Sequence, residues 1–122
     1  MSLQVIVGYE CTLFKADDLN SALTQLRQQR VGVVFCERDL VAGTWVELLE
    51  HIKDLRNAPS LVVTSRLADE RLWSEALNFG AWDVLAKPFD HVEVTRTVQS
   101  AWRRWQNQAQ TPGMGMKAMA AA

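Results

Sequence analysis

Cysteine is scarce in this chain, with two in 122 residues, and that scarcity removes one class of fold from consideration. Cys11 and Cys36 match neither a CxxC redox pair nor a metal-ligand spacing, so no disulfide framework is expected. Cys36 lies in an apolar run, where a thiol acts as a small buried hydrophobe, and a reducing cytoplasmic location fits. An excess of charge of one sign is also missing: 13 basic against 14 acidic residues give a net charge of −1. Nothing is left over to neutralise a phosphate backbone, so nucleic acid is not expected as a partner. No stretch approaches the roughly 18 continuous apolar residues of a membrane span, so no membrane partner is expected. The N-terminus lacks the basic region and apolar core of a secretion signal. His51 and His91 have no metal-ligand company. There is no glycine-rich phosphate loop, nucleophile elbow or paired acid–base constellation, so no catalytic residue is nominated and no enzyme is expected.

What is present suits one domain with a real core. Hydrophobic residues make up 48% and charged residues 22%, an ordinary globular balance. Three short apolar runs, Val31 to Cys36, Leu61 to Thr64 and Trp82 to Ala86, are continuous rather than alternating, as in strands covered on both faces. Helical spacing fills the gaps between them. Asp18 to Arg30 has Asp17 or Asp18 as N-cap; Thr44 to Asn57 opens on a Thr44/Glu47 capping box. In the latter, Val46, Leu49, Ile52 and Leu55 recur every three residues. Asp69 to Phe79 stops at Gly80, and Asp90 to about Gln108 begins with a second box. With Gln4 to Phe14 as a first strand, strand and helix alternate four times. That order predicts a doubly wound α/β fold, a parallel sheet between two helical layers (α/β/α). Residues 1–110 form the expected domain, and Thr111 to Ala122, rich in Gly, Met and Ala, reads as a tail.

In open parallel sheets, functional groups gather beyond the carboxyl ends of the strands. Those positions hold Glu37 after VVFC, Thr64-Ser65 after LVV, and Lys87-Pro88 after DVLA. An acid, a hydroxyl and a lysine from three successive strands are thereby expected on one rim. Singly, each has a plain explanation: a solvated strand end, a helix cap, a surface charge.

The segments VVFCERDL, PSLVVTS and GAWDVLAKPF, with the helix after them, resemble the receiver domain of two-component response regulators, whose sheet is of the flavodoxin-like type. The resemblance covers about residues 9–105. It implies a bacterial phosphorelay module in which Glu37 stands at the phosphoacceptor position, where the family has aspartate. Thr64 and Lys87 stand where the family contacts the phosphoryl group. It also makes Lys87–Pro88 a candidate cis bond.

Four departures qualify the resemblance. Glutamate replaces the acceptor aspartate, and Asp39 is the nearest surrogate. The acidic pair that holds Mg²⁺ after the family's first strand is not found: Asp17-Asp18 follows the wrong strand, and Glu10 is isolated. No cofactor is therefore expected. The chain looks N-terminally shortened, since Tyr9 to Ala16 aligns with the family's second strand. The first strand, central in that sheet, would be lacking. Its place must be filled: by Leu3 to Phe14 folding back or exchanging between two chains, or by direct pairing of the second and third strands. Finally, Val84 stands where receivers often carry an aromatic switch residue, with Trp82 nearby.

The expected role is a non-catalytic pseudo-receiver that binds a protein partner or itself, as a homodimer. The alternative is a competent receiver phosphorylated by a histidine kinase. Of five tryptophans, Trp73, Trp102 and Trp105 fall on the last two helices and are a candidate interface, framed by Arg96, Arg103 and Arg104. Core packing is the plainer account of them.

Overall fold

In the computed structural model, residues 3–7, 12–40, 43–109 and 117–121 are described. Along the chain run α1 (Leu3–Val7), β1 (Thr12–Ala16), α2 (Leu19–Gln28), β2 (Val33–Glu37), the short strands β3 (Asp39–Leu40) and β4 (Gly43–Thr44), and α3 (Trp45–Lys53). There follow β5 (Ser60–Ser65), α4 (Glu70–Phe79), β6 (Asp83–Ala86), α5 (His91–Ala109) and β7 (Lys117–Ala121). β3 and β4 make a small antiparallel ladder, and the other five strands form one parallel sheet.

The helix starts follow from local chemistry. Asp18 accepts from Ser21 N at 2.7 Å, Asp69 from Leu72 N at 2.9 Å and Asp90 from Glu93 N at 2.9 Å. Thr44 accepts from Glu47 N at 3.2 Å. Each satisfies one of the amide groups a helix leaves unpaired at its first turn. Gly80 ends α4 with φ at 99°, a conformation that costs a residue without Cβ little. In α3 the buried set is Trp45, Leu48, Leu49 and Ile52, not the every-third-residue set of the sequence. A strict spacing of three drifts around a helix of 3.6 residues per turn, so Val46 and Leu55 end half-buried.

The N-terminal expectation is corrected. Leu3–Val7 is a helix, and the first strand begins at Thr12; Tyr9, Glu10 and Cys11 lie outside the described residues. The C-terminal expectation is corrected further. The sheet order is β1-β7-β2-β5-β6, so residues 117–121 are not tail but the strand between β1 and β2. β7 pairs with β1 from Thr12↔Lys117 to Ala16↔Ala121, and with β2 from Val33↔Ala118 to Cys36↔Ala121. Within the chain, neither a fold-back of Leu3 to Phe14 nor direct pairing of the second and third strands closes the sheet. The last strand of the chain occupies the place that the receiver resemblance gives to the first.

Side chains alternate across this sheet, as strand geometry requires. Val33, Phe35, Val62, Leu85 and Ala118 pack with Ile6 and Val7 of α1 and with Val94, Val98, Ala101, Trp102 and Trp105 of α5. Val34, Cys36, Leu61, Val63, Val84 and Met119 pack on the opposite face against α2, α3 and α4. Burial raises the pKa of the Cys36 thiol to about 12, as expected of a sulfur whose charged form has no water around it.

Gly32 opens β2 against the two tryptophans. A Cβ there would lie 2.5 Å from Trp102 Cζ3 and 3.0 Å from Trp105 Cε3. Gly32→Ala is therefore expected to destabilise the domain by about 1–3 kcal/mol, the usual cost of overpacking. Urea denaturation checks it, and an unchanged midpoint would contradict the tightness of this contact.

Candidate functional site

Parallel register brings the sequence-nominated residues to one rim. Glu37, last in β2, is the direct partner of Thr64 in β5, and Thr64 in turn pairs with Leu85 in β6. Lys87 follows β6 and is tied to β5 by its amide, which donates to Ser65 O at 2.9 Å. The Lys87–Pro88 peptide is cis. Beyond Glu37, the Arg38 amide donates to Thr64 O at 2.9 Å, so the chain stays parallel to β5 until it turns into β3.

At this rim Lys87 Nζ forms an ion pair with Glu37 Oε1. Both side chains are about 29% exposed, sheltered but still hydrated. Lys87 Nζ also sits 5.8 Å from the centre of the Phe89 ring, within reach of a cation–π attraction. Thr64 is buried at 2% exposure, yet it is Lys87 that engages the carboxylate. The acid and lysine thus satisfy each other, leaving a pair that needs no further ligand for charge balance.

The pair opens into a cavity of about 740 Å³ on the side of the sheet covered by α1 and α5. Leu3, Leu13, Phe35 and Phe89 give it apolar walls, Ala120 and Ala121 stand behind, and Lys15, Asp17 and Arg66 stand at its mouth. The sequence reading missed Lys15 and Arg66, although the rule that located Thr64 also applied to Arg66 next to Ser65. It could not have found Ala120 and Ala121, because residues 117–121 were read as tail.

A divalent cation at this rim would need several oxygen donors from these residues. The carboxyl end of β7, the strand between β1 and β2, carries Ala120 and Ala121, whose side chains offer no oxygen donor. Asp18 is spent on capping α2, and Glu37 is held by Lys87, which among the described residues leaves Asp17 as the acid at the mouth without such a tie. Among the described residues no group of three or more His, Cys, Asp or Glu is placed to hold a metal. Hard cations such as Mg²⁺ require several oxygen donors; these residues do not fit one. Asp39 lies in β3, away from the parallel sheet.

The tryptophan expectation divides. Trp102 and Trp105 are 7% and 1% exposed and belong to the core beneath α5, so they are corrected from interface to interior. Their rings lie 4.9 Å apart, and the Trp105 indole donates to Asn57 O at 2.9 Å. Trp73 remains on the surface at 39% exposure, with Leu77 one turn later at 53%. Arg104 is drawn away from a framing role: it stacks over Trp82 at 5.2 Å and donates to Ser60 Oγ at 3.0 Å. Trp82 lies in the turn before β6 and donates to Ser100 Oγ at 3.2 Å, while Val84 is buried. Neither residue stands at the rim as an aromatic switch would. No helix among the described residues is long and apolar enough to cross a membrane.

Comparison with known proteins agrees with this geometry. Residues 2–99 match the family model described as the response regulator receiver domain. The sensory transduction protein LytT of Bacillus cereus is 28% identical over 97 residues, covering 80% of this chain and 39% of that protein. The phosphate regulon transcriptional regulatory protein PhoB of Escherichia coli is 27% identical over 93 residues, 74% of this chain and 40% of the relative. The chain thus spans about two-fifths of the length of these curated relatives. Among solved structures, the signal receiver domain of a Luxo repressor protein from Vibrio parahaemolyticus superposes with a TM-score of 0.79 at 16% identity. That likeness covers 91% of this chain and 86% of the other. A two-component response regulator from Clostridium difficile gives 0.74 at 20% identity over 84% of both chains. The family model spans most of the chain and the solved receiver domains share its fold, so the chain belongs to the response regulator receiver domain family.

Proposed function

We propose that this receiver domain signals by binding a protein partner or a second copy of itself, without accepting a phosphoryl group. The observation that carries the reading is the Glu37–Lys87 ion pair beside Ala120 and Ala121. Phosphoryl transfer spreads negative charge over the transferred group, and a receiver needs a cation and a free lysine to neutralise it. Here the lysine is already committed to a resident carboxylate. The alanines offer no side-chain oxygen for a cation. Glu37 therefore supplies permanently the negative charge that a phosphorylated receiver acquires transiently. The domain is non-catalytic on this reading and takes no metal cofactor.

A binding role requires a surface, and α4 supplies one in Trp73 and Leu77, four residues apart on one exposed face. Exposed aromatic and aliphatic groups at helical spacing suit a protein partner better than a nucleic acid, as does the net charge of −1. A cytoplasmic setting within a two-component pathway accords with this role.

The experiment is intact-mass spectrometry of the full chain after incubation with acetyl phosphate and Mg²⁺, run beside Glu37→Asp. Neither protein is expected to gain a phosphoryl group. The shorter side chain of the Glu37→Asp variant would restore an acceptor but not the missing oxygens at Ala120 and Ala121. Labelling of the unmodified chain would overturn the reading, with Asp39 and Asp17 the first positions to map. Labelling of Glu37→Asp alone would show that the rim still works and that glutamate alone had silenced it.

A further inference from the structure

We infer that the rim cavity is a binding site for a small amphipathic organic anion, one with an aromatic or aliphatic body and a single acidic group. The inference rests on the reading that this rim no longer handles a phosphoryl group.

Among the described residues, one face of the sheet is incompletely covered at the cavity. Leu13 and Lys15 of β1, Ala120 of β7, and Phe35 and Glu37 of β2 point to the face shared with α1. A five-residue strand runs for about 16 Å at 3.3 Å per residue. The five residues of α1 extend only about 7.5 Å at 1.5 Å per residue. The helix therefore caps part of the face with Ile6 and Val7 and leaves the carboxyl end to Leu3 and Gln4 at the cavity wall. The small side chain of Ala120 deepens the space.

Size and chemistry then select the ligand. A volume of about 740 Å³ falls within the range of about 300–1,000 Å³ usual for sites that enclose small organic molecules. Inorganic phosphate would leave most of it empty and would meet apolar walls at Leu3, Leu13, Phe35 and Phe89. Those walls suit a hydrocarbon or aromatic body. Among the described residues the charged lining is three cations, Lys15, Arg66 and Lys87, against two acids, Asp17 and Glu37. One cation and one acid cancel in the Lys87–Glu37 pair. That leaves Lys15 and Arg66 facing Asp17, a balance of one positive charge at the mouth. Among the described residues neither Lys15 nor Arg66 has an ion-pair partner. An acidic group at the mouth with its apolar body inward satisfies both halves of the site. A site reached this way gives the domain an input that depends on ligand concentration instead of phosphorylation.

The test is a fluorescence titration of the full chain with 8-anilinonaphthalene-1-sulfonate, an aromatic anion of the stated class. Its uncharged relative N-phenyl-1-naphthylamine is the comparator. The sulfonate is expected to bind saturably at one site per chain and at least tenfold more tightly than the uncharged compound. Lys15→Glu combined with Arg66→Glu, both at exposed positions, should weaken it at least tenfold without lowering the melting temperature. Ala120→Leu, which fills the cavity from the sheet side, should weaken it also, provided the variant still melts cooperatively. Millimolar inorganic phosphate should not displace it.

The inference is overturned if binding is not saturable, if the double variant binds as the unmodified chain does, or if the uncharged compound binds equally. Displacement by phosphate would overturn it as well, by showing that the site reads the anion alone. These outcomes are independent of the mass measurement. A phosphorylated product would sink the non-catalytic reading and leave the titration to be judged by itself. An absent binding isotherm would leave the mass result intact.

Discussion

A chain ending at residue 116 is expected to lose cooperative folding altogether. β7 is the last strand in the sequence, yet it is interior to the sheet, paired along its whole length with β1 and along four residues with β2. Ala118 and Met119 are completely buried, on opposite faces. Deleting the strand leaves the inner edges of β1 and β2 without hydrogen-bond partners in a place water cannot readily reach. Loss of the backbone ladder, at roughly 1 kcal/mol per hydrogen bond, adds to about 2–5 kcal/mol for removing a buried methionine. The sum is comparable with the whole of a domain's margin, about 5–15 kcal/mol. Circular dichroism during heating would show a broad, weak transition in the truncated chain and a sharp one in the full chain. Met119→Ala provides a graded companion, expected to lower stability by about 2–5 kcal/mol while keeping the transition sharp. If the truncated chain melted sharply within a few degrees of the full one, β7 would not be the structural strand it is described to be.

The same strand marks where sequence reasoning succeeded and where it stopped. Runs such as VVFC and LVV betray interior strands because every residue is apolar, and both faces of those strands are covered. Asp18, Thr44, Asp69 and Asp90 announce helix starts because capping is local chemistry, readable from a few residues. Glu37, Thr64 and Lys87 were legible as a rim because all three stand at the ends of recognisable strands. Lys117–Ala121 carried no such signal. Alanine is a weak strand former, and its presence between β1 and β2 is fixed by a gap in the sheet that only the assembled fold defines. Leu3–Val7 failed for the related reason that five apolar residues bear no period long enough to separate helix from strand. The cavity was illegible as well, being a product of how little α1 covers. Trp73 and Trp105 illustrate the remaining limit. Helical spacing put them on α4 and α5, but only packing decided which one faces solvent.

Trp105→Ala is expected to cost about 3–5 kcal/mol, whereas Trp73→Ala should change stability by no more than about 0.5 kcal/mol. Trp105 is 1% exposed and lies against Trp102, with the Arg30 guanidinium 6.0 Å from its ring centre. Its indole also holds the carbonyl of Asn57, a residue whose φ of 59° places the turn before β5 in a left-handed conformation. Removing the ring empties a large volume beneath α5 and strips that carbonyl of its donor. Trp105→Phe separates the two effects. It keeps most of the apolar contact and loses the hydrogen bond, so it should fall between the unmodified chain and Trp105→Ala. Urea denaturation followed by circular dichroism gives all three values, and Trp105→Ala should melt about 10 °C or more below the unmodified chain. The contrast with Trp73 bears on function, because a residue that stability does not need is free to be spent on binding. If Trp73→Ala lowered stability as much as Trp105→Ala, Trp73 would belong to the core and α4 would lose its claim as the partner surface. If instead Trp73→Ala left the melt unchanged and abolished self-association or partner capture, the division of labour between the two tryptophans would be established.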